Sequence, residues 1–128
     1  IVVTTPQKVS LADAYKGLAM FKQPAINVPV LGVVENMSYF VPPDMPDKKY
    51  YIFGKDGGAQ LASKFDVPFL GELPLVQAVR EGGDTGKPAA LDQDSYAFAY
   101  NELASNVARQ IAIRNAQFDM TKKVDIKV

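Results

Sequence analysis

The apolar residues of this chain form one uninterrupted run near its first third, with spaced patterns on either side of it. The run covers residues 28–34 and shows no polar alternation before it stops at Glu35 and Asn36. Runs of this kind are typical of a strand that is buried on both faces inside a parallel sheet. We therefore predict that this strand lies at the centre of the fold.

A second apolar segment, residues 1–4, predicts another buried strand. Between the two, Ser10 and Asp13 have the spacing of a helix N-cap and its acidic partner, and apolar residues follow on one helical face. We expect a helix over residues 11–22. A strand–helix–strand unit of this kind makes the two strands parallel.

The rest of the chain predicts one more strand and three more helices. The strand covers residues 67–71, and the helices cover residues 59–65, 75–80 and 94–117. Gly82 and Gly83 are expected to end the second of these helices, whereas the third has an apolar stripe that can cover one face of a sheet. The prediction is an α/β fold with three parallel strands and flanking helices. Residues 119–128 form either a loose tail or an added edge strand.

Residues 39–53 combine aromatic side chains with prolines. Two short aromatic segments flank a stretch that contains Pro42, Pro43 and Pro46. Because this proline content excludes a regular helix, we predict a short irregular hairpin. Two interpretations stay open: the rings pack back onto the sheet, or they face a partner.

The composition narrows the possible chemistry. The chain has 128 residues, with 14 basic and 14 acidic side chains, so its charge favours neither nucleic acid nor an anionic membrane. It contains no cysteine and no histidine, which removes thiolate and imidazole ligands, nucleophiles and bases. No apolar stretch approaches the ~20 residues that span a bilayer. We predict a cytoplasmic domain without catalytic or metal-binding residues of its own.

Candidate binding residues follow the central strand, since open α/β sheets bind ligands beyond the carboxyl ends of their strands. Glu35, Asn36 and Ser38 are the first candidates. The alternative for Asn36 is a turn residue whose side chain bonds the neighbouring backbone. Similarly, Gly57 and Gly58 either bring helix N-terminal amides to an anion or only form a turn.

A second glycine-containing stretch superficially resembles a phosphate-binding loop. It is Asp84-Thr85-Gly86-Lys87-Pro88. Glu81 stands where the motif requires its first glycine, and Pro88 replaces the magnesium-binding hydroxyl. We interpret this stretch as an ordinary loop.

Several segments, taken together and in order, carry a family resemblance. They are Val3-Thr4-Thr5-Pro6-Gln7, Val9-Ser10-Leu11-Ala12-Asp13-Ala14, Val30-Leu31-Gly32-Val33-Val34-Glu35-Asn36-Met37-Ser38, Ile52-Phe53-Gly54 with Gly57-Gly58, Val67-Pro68-Phe69-Leu70-Gly71-Glu72-Leu73-Pro74-Leu75 and Arg80-Glu81-Gly82-Gly83-Asp84. This set resembles the carboxyl-terminal half of the Mrp (ApbC-type) ATPases, in the MinD/ParA-like group of deviant P-loop proteins. The resemblance implies a partial Rossmann-like (P-loop NTPase) sheet, with residues 1–118 as its carboxyl-terminal half.

The resemblance also implies a function. It points to a homodimeric ATPase that uses ATP with magnesium and delivers an iron–sulfur cluster to apoprotein clients. In that group the asparagine at the end of this strand contacts adenine, and an amide can donate to N7 while it accepts from the N6 amino group. The corresponding residue here is Asn36. The other implied contacts are the backbone of Glu72, Leu73 and Pro74 over the base, with Thr5 and Pro6 near the phosphates.

Two departures from the family pattern limit this expectation. The family's Gly-Lys-Gly-Gly-x-Gly-Lys-Ser/Thr loop would precede Ile1, and Pro42 and Met45 stand where the family often has Cys-x-x-Cys. Since clusters are held by thiolates, the usual ligands are missing from this segment. The whole protein either uses cysteines elsewhere or has lost the cluster and kept the ATPase.

Two other functions are compatible with parts of the sequence. The first is a nucleotide-free interaction module that recruits a partner through the aromatic residues of 39–53. The second is half of another Rossmann-like enzyme. The second is disfavoured because no Gly-x-Gly-x-x-Gly follows a strand.

We expect this chain by itself neither to hydrolyse ATP nor to hold it tightly, since it lacks the phosphate-binding amides, lysines and magnesium-binding hydroxyl. Phosphate release from ATP and magnesium in the presence of the isolated chain should equal that of a protein-free blank. Turnover above the blank would contradict this prediction.

Overall fold

The computed structural model describes residues 1–118, and its centre is a parallel sheet of three strands. Strand β1 (Val2–Thr4) pairs with β2 (Val33–Glu35), which pairs with β3 (Phe69–Glu72). The helices are α1 (Lys8–Phe21), α2 (Gly57–Lys64), α3 (Gln77–Thr85) and α4 (Ser95–Gln117), with a 3-10 turn at Ala89–Leu91. This confirms the predicted α/β class and parallel strands. The predicted tail over residues 119–128 lies outside the described residues.

The two valines of β2 divide the core into two halves. Val33 packs with Leu18 of α1 and Leu61 of α2, whereas Val34 packs on the other face with Leu70 and the residues of α4. Successive side chains of a strand point to opposite faces, so a strand needs two apolar neighbours in sequence to hold helices on both sides. The prediction of a doubly buried central strand is confirmed.

Strand β2 is shorter than the apolar run predicted. Residues 28–32 lie outside the strand, and Pro29 has no amide hydrogen with which to join a sheet. Gly32 has φ +152° and lies so close to β3 that a Cβ there would be 2.5 Å from the Pro68 carbonyl oxygen. The Gly32 carbonyl accepts the Val2 N–H of β1 at 3.0 Å, and the regular strand begins at Val33, whose N–H donates to the Pro68 carbonyl at 2.9 Å.

The predicted start of α1 is wrong. The helix begins at Lys8 with Gln7 at the N-cap position, and no side chain caps it. The Ser10 hydroxyl is instead 3.0 Å from Thr4 Oγ1 and accepts the Thr5 N–H at 3.2 Å. A partner at the end of β1 thus replaces the local capping bond that the sequence suggested.

The predicted end of α3 is also wrong. The helix runs through Gly82 and Gly83 and ends at Thr85. It is followed by Gly86, whose φ of +73° is the left-handed conformation common after a helix C-terminus. Smaller differences occur elsewhere, because α2 begins two residues before its predicted start and β3 begins at Phe69. The segment before β3, residues 67–68, forms the approach to the strand.

Helix α4 agrees with its prediction, with Asp94 as its N-cap residue. Its first half covers β2 and β3 through Ala99, Tyr100, Leu103 and Val107, but Ile111 in its second half is 43% exposed. No helix in the described part of the chain, α4 included, has the length and apolar character needed to cross a membrane.

The irregular hairpin between β2 and α2 is also confirmed. Phe40 and Tyr50 form a single antiparallel bridge, with both N–H···O distances at 2.8 Å. The proline-rich segment between them has no regular structure.

Replacing Gly32 with alanine should destabilise the fold. The new Cβ would lie 2.5 Å from the Pro68 carbonyl oxygen and 2.6 Å from Leu70 Cγ, and neither the backbone nor this buried side chain can move aside easily. We expect a loss of more than about 1 kcal/mol in the free energy of unfolding, measured by urea denaturation.

Gly17→Ala is the matched control for this variant. Gly17 lies inside α1, and no atom beyond the adjoining helix backbone comes within 4 Å of the position that a Cβ would take. Alanine should therefore stabilise the helix by about 0.5–1 kcal/mol. Equal effects of the two substitutions would contradict the close approach of the backbones at Gly32.

Candidate functional site

The carboxyl ends of the three strands meet at one edge of the sheet. The Asn36 N–H donates to the Thr4 carbonyl at 2.7 Å, and the Leu73 N–H donates to the Glu35 carbonyl at 2.8 Å. The backbone pairing thus continues past each strand end. The residues of the predicted site lie at the ends of the three strands or directly after them and are brought to this edge. They are Thr5, Pro6, Asn36, Glu72, Leu73 and Pro74.

Asn36 is half-buried at the tip of β2. Its Oδ1 accepts the N–H of Met37 at 2.9 Å, and Met37 has φ +53°, so Asn36 does serve as a turn residue. Within residues 1–118, however, its Nδ2 has no hydrogen-bond partner. Since an amide oxygen can accept a second bond, the side chain keeps both a donor and an acceptor for a ligand.

The stretch after β3 offers fewer polar groups than the resemblance suggested. The Leu73 N–H donates to the Glu35 carbonyl, and the Leu73 carbonyl accepts the Ser38 N–H at 2.9 Å. Pro74 has no N–H. Both residues are buried, whereas the Glu72 side chain is exposed. Leu73 and Pro74 can therefore contact a base through carbonyl oxygens or carbon atoms, not as hydrogen-bond donors.

Pro6 is buried under the loop that leads into α2. A Cβ at Gly54 would lie 3.2 Å, and one at Gly57 3.1 Å, from the Pro6 carbonyl oxygen, so this loop needs glycine to pass so close. Beside it, the buried Thr5 Oγ1 has no hydrogen-bond partner among the described residues. Thr5 and Pro6 thus lie at the same edge as Asn36, at the end of the neighbouring strand.

Glu35 and Ser38 are polar side chains in the interior. Glu35 is 1% and Ser38 0% exposed. The Glu35 carboxylate accepts the Ser38 hydroxyl at Oε1 and the Gly58 N–H at Oε2, both at 2.5 Å. The Ser38 Oγ is also 2.8 Å from Glu72 Oε2. The amide of Gly58 at the start of α2, one of the groups that a bound anion could use, is therefore occupied by a carboxylate of the chain.

A cavity of about 410 Å³ lies between β3, the hairpin and α4. Tyr39, Glu72 and Glu102 line it, and the Lys49 ammonium is 3.9 Å from the centre of the Tyr39 ring. Burial raises the pKa of Tyr39, and the negative charge of Glu72 raises it further. Sequence reasoning did not identify Glu102 as a residue of this cavity, because an exposed acid on a helical surface has no pattern that distinguishes it.

The sequence left open whether the aromatic residues of the hairpin pack onto the sheet or are exposed to a partner, and the structure shows some of each. Tyr39 and Phe40 are half-buried, whereas Tyr50, Tyr51 and Ile52 are exposed. A second cavity of about 540 Å³ lies beside them, lined by Phe40, Ile52, Leu75, Val76, Gln77 and Arg80. Asn36 is half-buried at the same edge of the sheet but lines neither of these two cavities.

Solved structures place this architecture in a known class. The cell division ATPase MinD of Pyrococcus furiosus superimposes with a TM-score of 0.60 over 84% of this chain and 41% of its own, at 24% identity. A nucleotide-binding protein of Archaeoglobus fulgidus, solved in complex with ADP, superimposes with a TM-score of 0.55 over 65% of this chain and 33% of its own, at 32% identity. The fold is that of the P-loop NTPases.

The sequence identifies the family within that class. The family described as "ParA: NUBPL iron-transfer P-loop NTPase" matches residues 1–112, and the chain belongs to it. An iron-sulfur cluster carrier protein of Synechocystis is 50% identical over 112 residues, which are 88% of this chain and 31% of the relative. The chain thus spans about a third of that relative's length. The resemblance stated from the sequence is confirmed.

The Tyr39 cavity leads to a prediction about ionisation. Glu72→Gln should lower the pKa of Tyr39 toward its ordinary value of about 10, because it removes a negative charge that disfavours the phenolate. The pKa can be followed by the ring carbon NMR shifts of labelled tyrosines. Tyr100 is the internal control, since burial alone raises its pKa and the substitution should leave it unchanged.

The sign of the pH dependence follows from the same shift. Because the pKa of Tyr39 is raised in the folded chain, the unfolded chain loses the phenol proton first as the pH rises above about 10. The contribution of Tyr39 to the free energy of unfolding is therefore fully present at neutral pH. It is lost as the pH rises through the folded-state pKa. An unchanged Tyr39 titration in Glu72→Gln would contradict the proximity of the two groups.

Proposed function

We propose that this chain is the adenine-binding, carboxyl-terminal part of an ATP-dependent iron–sulfur cluster carrier. Residues 1–118 would form the second half of its nucleotide-binding domain. Two findings support the proposal: the family match over residues 1–112, and relatives that are named iron-sulfur cluster carrier proteins. A structural neighbour solved with ADP supports nucleotide as the ligand.

The single observation that carries the proposal is the Asn36 side chain. It lies at the carboxyl end of the central strand, half-exposed, with an Nδ2 that has no partner in residues 1–118 and an Oδ1 with capacity for one more bond. An amide in this state matches the N6 and N7 edge of adenine. The two flanking strand ends, at Thr5 and Leu73, would border the nucleotide on either side.

Other parts of the function require groups outside these residues. The phosphates and their magnesium ion need a P-loop, which these 128 residues do not contain. The chain has no cysteine, and no three acidic side chains in its described part come together as metal ligands. Thiolates for a cluster cargo would therefore have to come from elsewhere in the whole protein.

The hairpin supports a second element of the proposal, which is a surface for partners. Its exposed Tyr50, Tyr51 and Ile52 lie beside the 540 Å³ cavity, and aromatic residues are enriched in protein interfaces. The proposed occupants are a second copy of the protein, as a homodimer, or an apoprotein client. A nucleotide-free interaction module using residues 39–53 is the competing function that this surface favours.

Asn36→Ala distinguishes the two functions. The proposal requires a P-loop elsewhere in the full-length protein. In that protein the variant should weaken ATP binding by about 5- to 150-fold, the equivalent of a bidentate amide–adenine contact of about 1–3 kcal/mol. Calorimetric titration with ATP and magnesium measures this change.

Asn115→Ala, an exposed asparagine near the end of α4, is the matched control and should bind ATP as the parent protein does. If Asn36→Ala binds ATP with unchanged affinity, the adenine contact is wrong and the interaction module becomes the better explanation.

A further inference from the structure

The Ser38 hydroxyl lies between two carboxylates. Its Oγ is 2.5 Å from Glu35 Oε1 and 2.8 Å from Glu72 Oε2, and the side chain is fully buried. A serine hydroxyl has only one proton to donate, so the two glutamates compete for it. The adenine contact proposed above uses neither the Ser38 hydroxyl nor the Glu35 carboxylate.

Glu35 extends this cluster to the start of α2. Its Oε2 accepts the Gly58 N–H at 2.5 Å, and a carboxylate is favoured there by the unpaired amides and the positive end of the helix dipole. A Cβ on Gly58 would lie 2.9 Å from Glu35 Cβ, so α2 can approach this close only with glycine at its start. One side chain thus joins the tip of β2 to a helix and, through Ser38, to β3.

The turn that carries Asn36 is enclosed by these bonds. Glu35 and Ser38 are the residues before and after Asn36-Met37, and their backbones bond to Leu73 through the Glu35 carbonyl and the Ser38 N–H, at 2.8 and 2.9 Å. Met37 has φ +53°, a conformation that costs energy in a residue other than glycine. Backbone and side-chain bonds of Glu35 and Ser38 therefore flank this strained residue and Asn36 on both sides.

We propose that Glu35 and Ser38 are positioning residues that aim the Asn36 amide at the base. This inference rests on the adenine contact proposed for Asn36 and adds the reason why its orientation is fixed. Glu35 must bond two partners on different elements at once, the Gly58 N–H and the Ser38 hydroxyl. The length of its side chain therefore matters for this role, and its negative charge does not.

Two substitutions at Glu35 separate the effect of side-chain length from the effect of charge. In Glu35→Gln the amide oxygen can accept the Gly58 N–H while its NH₂ donates to Ser38 Oγ, which leaves the serine proton for Glu72. Glu35→Asp keeps the charge but is one methylene shorter, so it cannot bond both partners. The glutamine variant should therefore keep the orientation of Asn36 and the aspartate variant should lose it.

The experiment measures the preference of the full-length protein for ATP over inosine triphosphate. Inosine has a carbonyl where adenine has the N6 amino group. The dissociation constant of inosine triphosphate divided by that of ATP therefore reports whether the Asn36 oxygen faces that position, and this quotient is the ratio compared below. Asn36→Ala should lower the ratio by about 5- to 150-fold. We expect Ser38→Ala and Glu35→Asp to lower it at least threefold, and Glu35→Gln to retain most of it.

A double variant tests whether the effect passes through Asn36. Ser38→Ala added to Asn36→Ala should lower the ratio no further than Asn36→Ala alone, since the amide to be positioned is already gone. Ser105→Ala, which removes a hydroxyl bonded to the Asn101 carbonyl within α4, is the matched control and should leave the ratio unchanged. Thermal unfolding of each variant shows whether it is folded.

The outcomes separate this inference from the proposed function. If Asn36→Ala lowers the ratio but Ser38→Ala and Glu35→Asp weaken both nucleotides equally, the two residues are only structural and the inference is overturned while the adenine contact stands. If Ser38→Ala does not fold, the comparison of Glu35→Asp with Glu35→Gln decides in the same way. If Asn36→Ala leaves the ratio unchanged, the adenine contact and its positioning both fail.

Discussion

The burial of β2 on both faces is the constraint on which the rest of the structure depends. Val33 and Val34 anchor the helices on opposite sides, and the same burial continues to Glu35, whose carboxylate lies in the interior. A buried charged group has to be hydrogen-bonded, because leaving it unpaired costs several kcal/mol (~3–5 after removal of a partner). The start of α2, the turn after β2 and the end of β3 all supply or share its bonds.

The larger features of the fold could be predicted from the sequence because they depend on patterns within short segments. The apolar run before Glu35 predicted the central strand, and the intervals of three and four between apolar residues predicted α4 to within a residue of its observed start. The parallel arrangement followed from the strand–helix–strand order. That every candidate residue lies at one edge followed in turn from the parallel arrangement, since parallel strands end together.

The details that failed depend on contacts between distant segments. Ser10 has the spacing of a helix cap, but the end of β1 offered its hydroxyl other partners. Gly82 and Gly83 are weak helix formers, yet α3 continues through them to Thr85. The contact of Ser38 with Glu72 joins residues 34 positions apart, and no local pattern connects them. The sequence indicated Glu35, Asn36 and Ser38 as candidates. It did not reveal that the side chains of Glu35 and Ser38, on either side of Asn36, bond to each other.

The magnitudes explain why positioning would matter for the adenine contact that we propose. An amide that reads adenine contributes about 1–3 kcal/mol, whereas fixing the backbone of one flexible residue costs about 1–2 kcal/mol. A mobile turn at Asn36 would therefore lose most of the gain in ordering the residue when the ligand binds. In the positioning role that we propose, bonds from Glu35 and Ser38 order that turn during folding, when the burial of β2 already stabilises the structure. A binding residue at the tip of a buried strand can thus discriminate between bases with a single side chain, provided that the polar groups on either side of it are bonded inside the protein.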